Sequence, residues 1–151
     1  MKLLGLSPTP DAVYWVLYDR TFDRVFLAGV ARLEAEDRRG RGLALDSWIL
    51  QILDQYTRFP GINEVVVDEN GDCPLPDMTG ILRRRCHTWQ IRYTEIPGQT
   101  VRARVTGKTD GLLVETLRPK YRAVLEVLDV AGALAAVLAW TPPRLSWFGR
   151  R

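Results

Sequence analysis

The sequence predicts an α/β fold, in which helices cover a mixed β-sheet. Two observations support this class. Apolar segments joined by short turns open the chain, which is typical of strands that pair through hairpins. From residue 43 onward, segments with helical periodicity alternate with short apolar segments, which is typical of helices packed on the faces of a sheet.

The hairpin-rich start predicts three strands, over residues 2–7, 12–19 and 24–33. A turn with two prolines separates the first two strands, and a short polar loop separates the next two. Residues 34–42 are polar and contain glycine, so they predict an exposed loop. Such a loop could touch a substrate or simply connect two elements.

The alternating part begins with a predicted helix over residues 43–59, which carries one apolar stripe. The next segment, 64–68, holds three consecutive valines and predicts a strand buried on both faces, as central parallel strands are. A turn-rich loop is expected over 70–76. The remaining elements are a helix over 77–86, a strand over 89–95, a helix over 97–105 and a last helix over 119–140, for which a break near Leu125 stays open.

Length and composition predict one domain, over residues 1–141, followed by a basic, aromatic tail over 142–151. The net charge is +3, but it is unevenly distributed: residues 1–79 hold 8 basic and 13 acidic side chains, and residues 80–151 hold 13 basic and 5 acidic ones. The first part is therefore at −5 and the second at +8. The basic second part could bind a polyanion or could be an ordinary solvated surface.

Cysteine usage and the apolar runs bear on location. Cys73 and Cys86 have neither metal-ligand spacing nor the pattern of a disulfide framework, which favours a reducing, cytoplasmic compartment. The N-terminus does not have the pattern of a signal peptide. The longest apolar run, near residues 130–140, is too short to cross a bilayer, so we expect no membrane partner.

Four local patterns then occur in a fixed order. The first strand runs into Ser7-Pro8-Thr9, and the strand 64–68 ends in Asp68. The turn Thr106-Gly107-Lys108 follows a short predicted helix, and the last helix carries residues 129–135, which begin with Asp129. In this order the chain resembles the RuvC family of Holliday-junction resolvases over nearly its whole length. The resemblance implies a ribonuclease H-like fold, with a mixed five-stranded sheet and its first strand in the centre.

The resemblance also implies a site in which four acids hold two divalent ions, Mg²⁺ or Mn²⁺. Two of the four positions are acids here, Asp68 and Asp129, whereas Ser7 and Gly132 occupy the other two. A hydroxyl is a poorer magnesium ligand than a carboxylate, and glycine offers no ligand atom. Glu126 lies three residues before Asp129, so on a continuous helix it could supply a replacement ligand. The structural alternatives are a strand-end cap for Asp68 and an ordinary polar helix position for Asp129.

Basic side chains in the second part of the chain are the candidates for phosphate contacts, which need no sequence recognition. They are Arg83, Arg84, Arg85, Arg102, Arg104, Lys108 and Lys120. The tail adds cations and aromatic rings, a combination that binds single strands, although it could equally pack on its own domain or on a partner. These tail residues are Arg144, Trp147, Phe148, Arg150 and Arg151.

The sequence therefore predicts a RuvC-like protein that binds branched or structured nucleic acid, such as a four-way DNA junction, with impaired or lost nuclease activity. The resemblance implies a homodimer. If the site is inactive, no cofactor is needed. Two alternatives stay open. One is an active metal-dependent junction endonuclease with rearranged ligands, and the other is a protein-interaction module without a nucleic-acid ligand.

Overall fold

The computed structural model describes residues 1–69, 76–127 and 129–142, and within them it places five strands in a single sheet. The strands are β1 (Lys2–Pro8), β2 (Ala12–Asp19), β3 (Arg24–Arg32), β4 (Glu64–Glu69) and β5 (Arg92–Pro97). The helices are α1 (Arg38–Tyr56), α2 (Pro76–Thr88), α3 (Gly98–Thr106), α4 (Leu113–Val127) and α5 (Ala131–Ala139). An irregular turn, Thr57–Gly61, follows α1.

The sheet has the order β3-β2-β1-β4-β5, with β1 in the centre. β1 pairs antiparallel with β2 and parallel with β4, and β4 pairs parallel with β5. Leu6 thus lies between Trp15 on one side and Val67 on the other. The predictions of a mixed five-stranded sheet and of a central first strand are confirmed.

Burial of the two central strands explains why they are almost wholly apolar. Leu3, Leu4 and Leu6 of β1 have no exposed surface, and neither have the three consecutive valines of β4. Because side chains alternate across a sheet, Leu3 faces one apolar layer, with α3, α4 and α5, and Leu4 and Leu6 face the other, with α1 and α2. The sheet therefore separates two cores.

The helix α5 lies directly on β1. A Cβ atom on Gly5 would overlap the carbonyl oxygen of Ala133 and would lie 2.7 Å from the side chain of Val137. Only glycine at this point of β1 allows so close an approach of the helix backbone. Because α5 packs so closely on β1, its first turn also lies close to Ser7 near the end of the strand.

The helix α1 begins five residues earlier than predicted, so the expectation of a loop over the whole of 34–42 is wrong. Asp37 caps the helix: its Oδ1 accepts a hydrogen bond from the backbone N–H of Gly40 at 2.6 Å. This local bond satisfies one of the free N–H groups at a helix start. The first turn has no apolar residue, and for that reason periodicity alone did not indicate it.

The predicted last helix is two helices, and it starts before the expected position. α4 begins at Leu113, so Pro119 lies inside it, and the backbone leaves helical angles at Tyr121 (φ −117°, ψ 28°). Proline lacks an N–H and crowds the preceding turn, which accounts for a kink at this place. α4 ends at Val127 and α5 begins at Ala131, whereas the sequence left open a break near Leu125.

Residues 143–151 of the predicted tail 142–151 lie outside the described residues, as do Cys73 and residues 70–75 of the predicted loop. Among the residues that are described, no helix has the length and apolar character needed to cross a membrane.

Candidate functional site

Two strand ends bring the first pair of site residues together. Ser7 follows Leu6 in β1, Asp68 follows Val67 in β4, and the parallel register places Leu6 beside Val67. The hydroxyl of Ser7 donates a long hydrogen bond, 3.4 Å, to Oδ2 of Asp68. The parallel pairing thus places position 7 against position 68.

The third position, Gly132, lies in the first turn of α5 and touches both side chains. A Cβ atom on Gly132 would lie 2.7 Å from Ser7 Oγ and 3.0 Å from Asp68 Oδ2. These separations are shorter than ordinary van der Waals contacts. Ser7, Asp68 and Gly132 therefore form one packed site at the carboxyl end of β1 and β4, where a side chain on residue 132 would have to displace Ser7 or Asp68.

Asp68 is the charged group of this site, and it is only 7% exposed. Burial raises its pKa to about 6, and the hydrogen bond from Ser7 and the positive charge of Arg102 reduce that rise. Its Oδ1 is buried and accepts no hydrogen bond from any described residue. Asp68 is therefore a buried acid with an incomplete set of partners.

Gly98 and Arg102 of α3 complete the surroundings of Asp68. A Cβ atom on Gly98 would lie 3.5 Å from Asp68 Oδ1 and 3.5 Å from Arg102 Nη1. Each carboxylate oxygen thus faces a glycine, Oδ1 towards Gly98 and Oδ2 towards Gly132. Sequence reasoning missed Gly98. No local sequence pattern marks it, because the parallel pairing of β5 with β4, which sets Pro97 beside Glu69, brings the next residue to the site.

The two remaining candidate acids, Asp129 and Glu126, are exposed, whereas Asp68 is buried. Asp129 is exposed and precedes α5, which begins at Ala131. The expectation that the last helix carries Asp129 is therefore wrong, because α5 begins two residues later. Glu126 lies on α4, where its Oε1 accepts a hydrogen bond from Arg122 at 2.6 Å, an exposed pair one helical turn apart. Within the described ranges, no three His, Cys, Asp or Glu side chains form a group that could hold a metal ion.

The basic side chains of α2 differ in their partners. Arg83 donates to Glu95 at 2.7 Å. Arg85 forms a bidentate ion pair with Asp46 of α1, with N–O distances of 2.6 and 2.7 Å. This pairing holds the pKa of the Asp46 carboxyl below its ordinary value. Arg84 is exposed and lines a groove between α1 and α2.

The basic side chains of α3 and α4 lie on the other side of the sheet. Arg104 donates to the backbone oxygen of Ala139 at 2.9 Å. Lys120 is paired with Asp23, the hairpin residue that also accepts a hydrogen bond from Tyr121. Lys108 is exposed in the turn after α3. The seven predicted phosphate contacts are thus spread over both faces of the sheet, and several already have partners.

Comparison with known proteins shows which fold this chain shares. The chain matches no protein-family model and no curated protein sequence. Among solved structures, RuvC from Thermus thermophilus superposes with a TM-score of 0.71 at 14% identity, covering 92% of each chain. The structure of T. thermophilus RuvC in complex with a Holliday junction substrate gives a TM-score of 0.70 at 15% identity, with the same coverage.

The chain has a RuvC-like fold. The predicted ribonuclease H-like sheet with flanking helices is confirmed by this likeness. The RuvC-like resemblance raises the question of whether the residues at the strand ends fit two divalent ions. They do not: Ser7 and Gly132 supply no carboxylate beside Asp68, and among the described residues no three His, Cys, Asp or Glu side chains form a group that could hold a metal ion. Two-ion sites need several oxygen ligands around ions about 4 Å apart.

Proposed function

We propose that this protein binds branched or structured DNA, such as a four-way junction, and does not cleave it by two-ion hydrolysis. The observation that carries the proposal is the direct contact of Gly132 with Ser7 and Asp68 in a RuvC-like fold. At that contact a serine hydroxyl and a glycine stand at two of the four positions where the resemblance implies metal-binding acids.

Binding is supported by two further observations. The structurally similar RuvC has been solved with a Holliday junction substrate. Residues 80–151 carry 13 basic and 5 acidic side chains, among them exposed Arg84 and Lys108. Contacts from such side chains to phosphates do not require a metal ion.

In this proposal Asp68 has a structural role. Its Oδ2 accepts the hydroxyl of Ser7, and the backbone of α5 packs on the same pair, so the carboxyl group joins β1, β4 and α5. A group in this position holds the strand ends in register without taking part in bond cleavage.

We further propose a homodimer and a cytoplasmic location. The homodimer follows from the RuvC-like resemblance, since a symmetric junction offers two equivalent surfaces. A reducing compartment agrees with the free, buried thiol of Cys86.

The test is a binding and cleavage assay on a labelled four-way junction, with a linear duplex of the same sequence as control. We expect the junction to be bound more tightly than the duplex, and binding to persist when EDTA removes divalent ions. The logarithm of the binding constant should fall linearly with the logarithm of the salt concentration. No cleavage should appear on a timescale of hours.

Two results would contradict the proposal. Cleavage that needs Mg²⁺ or Mn²⁺ and disappears in Asp68→Asn would establish an active endonuclease with rearranged ligands, in which Asp129 or Glu126 supplies oxygen atoms. The absence of binding to junction, duplex and single strands would leave a protein-interaction module.

A further inference from the structure

Arg102 of α3 carries a positive charge close to the buried carboxylate of Asp68. Its Nη1 atom and the Oδ1 atom of Asp68 both lie 3.5 Å from the point where a Cβ atom on Gly98 would stand. The attraction between the two charges offsets part of the rise in the pKa of Asp68 that burial causes. The guanidinium group therefore lies at the strand ends, beside the acid for which the resemblance implies divalent ions.

The hydrogen-bond donors of Arg102 are unused. Among the described residues it forms no hydrogen bond and no ion pair, whereas Arg104, two residues later, donates to the backbone oxygen of Ala139. Arg102 is also partly exposed, so a ligand in solution can reach it. A guanidinium group offers five N–H donors in one plane, an arrangement that suits the oxygens of a phosphate group.

Arg102 differs from an arginine that only balances a buried acid. Such an arginine is present elsewhere in this chain: Arg85 holds Asp46 in a bidentate ion pair, with N–O distances of 2.6 and 2.7 Å. Arg102 makes no such pair with Asp68, although the charge of Arg102 acts on that carboxylate. Asp68 thus attracts the guanidinium group without occupying its donors.

The surroundings of Arg102 suit an anion better than a site with four acids does. Ser7 and Gly132 are uncharged, so two negative charges that would repel a phosphate in the absence of metal ions are missing. Both α3 and α5 begin at this end of the sheet, at Gly98 and Ala131, and neither start is capped by a side chain. The free N–H groups of a helix start add partial positive charge.

We propose that Arg102 takes the place of the divalent ions and binds one phosphodiester group of a DNA junction at the ends of β1 and β4. The inference rests on the proposed function, because it assigns the contact through which this end of the sheet binds DNA without metal. Asp68 acts through its charge, which attracts the guanidinium group, while its burial keeps the carboxylate itself away from DNA.

Paired changes in the DNA and in the protein test this contact. In a four-way junction, a neutral methylphosphonate replaces a single phosphate and is moved through the positions around the branch point. Binding of the full chain is measured by fluorescence anisotropy in EDTA at a fixed salt concentration. For the unchanged chain, neutralising the contacted phosphate should weaken binding about tenfold, because charge-assisted hydrogen bonds are lost.

The protein variants identify the residue that makes the contact. Arg102→Gln should weaken binding to the unmodified junction by a similar factor, and it should no longer respond to the methylphosphonate at that one position. Arg102→Lys keeps the charge but not the planar set of donors, so it should lose less affinity. Arg58→Gln removes the same charge at an exposed position in the turn after α1, and it should respond to the methylphosphonate as the unchanged chain does. Circular dichroism confirms that each variant is folded.

The outcomes separate this contact from the proposed function. If the unchanged chain binds no junction, duplex or single strand, the proposed function fails and the contact fails with it. If the junction is bound but Arg102→Gln remains sensitive to every methylphosphonate that affects the unchanged chain, the assignment of Arg102 is wrong and DNA binding stands. Binding that EDTA abolishes would overturn the replacement of metal ions by Arg102.

Discussion

Asp68 combines deep burial with an incomplete set of hydrogen bonds. Only the Ser7 hydroxyl donates to it among the described residues, at 3.4 Å, while its Oδ1 has no donor. The carboxylate form has therefore lost water without full compensation, which explains why its pKa is raised to about 6. The folded protein therefore takes up a proton on Asp68 at a higher pH than the unfolded chain does.

The pH dependence of stability should reveal this acid. Because the pKa of Asp68 in the folded protein, about 6, lies above the ordinary value of 3.8, the folded state binds the proton more tightly. The stabilisation is full below the lower value and is lost as the pH rises through 6. This group should lower the free energy of unfolding by up to roughly 3 kcal/mol across that window.

Urea unfolding of the unchanged chain and of Asp68→Asn, between pH 4 and 8, measures the effect. The asparagine variant should lack this part of the pH dependence, so the difference between the two curves should change across the window. Asp110→Asn, at an exposed position, is the matched control and should follow the unchanged chain. Parallel profiles for all three proteins would contradict the assignment.

Gly132 offers a second test at the same place. Gly132→Ala should destabilise the protein by about 1–3 kcal/mol, because its Cβ would press on Ser7 Oγ and Asp68 Oδ2. Ser7→Ala in the same chain should recover part of the loss by removing the closest atom. Gly80→Ala in α2, where a Cβ meets nothing within 4 Å, should instead stabilise by up to about 1 kcal/mol. Thermal unfolding of the unchanged chain and of these three variants measures the changes in stability. Equal changes for the alanine substitutions at positions 132 and 80 would refute the packing argument.

Positions 7, 68 and 132 were identifiable from the sequence through the resemblance to a known family. Their mutual contact was not, because it depends on how closely α5 lies on β1. Gly98 was missed for the same reason: the parallel pairing of distant strands brings it to Asp68, and no local pattern records that.

At the scale of elements, the start of α1 depends on one side chain. Asp37 Oδ1 accepts from the Gly40 N–H, and a Cβ on Gly40 would lie only 2.9 Å from that oxygen. A residue larger than glycine at position 40 would therefore press against the capping oxygen of Asp37. Asp37 and Gly40 thus fix where α1 begins, although its first turn contains no apolar residue.

Removing the cap should shorten α1 from its first turn. Asp37→Ala is expected to lower the free energy of unfolding by about 1 kcal/mol, as is usual for such caps, whereas Asp37→Asn should retain most of it. Glu36→Ala, one residue earlier and exposed, is the control. Chemical denaturation measures all three, and equal losses for the alanine variants at 36 and 37 would contradict the capping role.

Prediction from sequence worked best where burial governs an element. β1, β2 and β4 are apolar because they lie inside the sheet, and their bounds follow from the turn residues beside them. It failed where local geometry decides, at the capped start of α1 and at Pro119, which lies within α4 although a proline usually marks a helix start. Neither feature changes the apolar periodicity.

At the scale of the whole molecule, binding of DNA phosphates depends more on where unpaired positive charges lie than on the net charge. Arg83, Arg85 and Lys120 are held by Glu95, Asp46 and Asp23. Lys108 lies exposed in the turn after α3. The net charge of +3 therefore does not show where on the surface positive charge is available to bind phosphate.

Substitution of Lys108 should separate a phosphate contact from a charge already paired. We expect Lys108→Ala to weaken junction binding to a similar degree for all sequences and to lower the slope against salt by about 1. Lys120→Ala, next to Asp23, should change the slope less. Fluorescence anisotropy across a salt series measures both, and a larger change for Lys120→Ala would reverse this interpretation.

The central place of β1 also determines how the protein exchanges hydrogen with solvent. This strand is bonded along both edges and buried on both faces, since β2 and β4 flank it and its leucines have no exposed surface. Its amide protons can reach deuterated water only when the entire sheet opens. They should therefore exchange last, at a rate set by global unfolding, while those of the edge strand β3 exchange through smaller local openings.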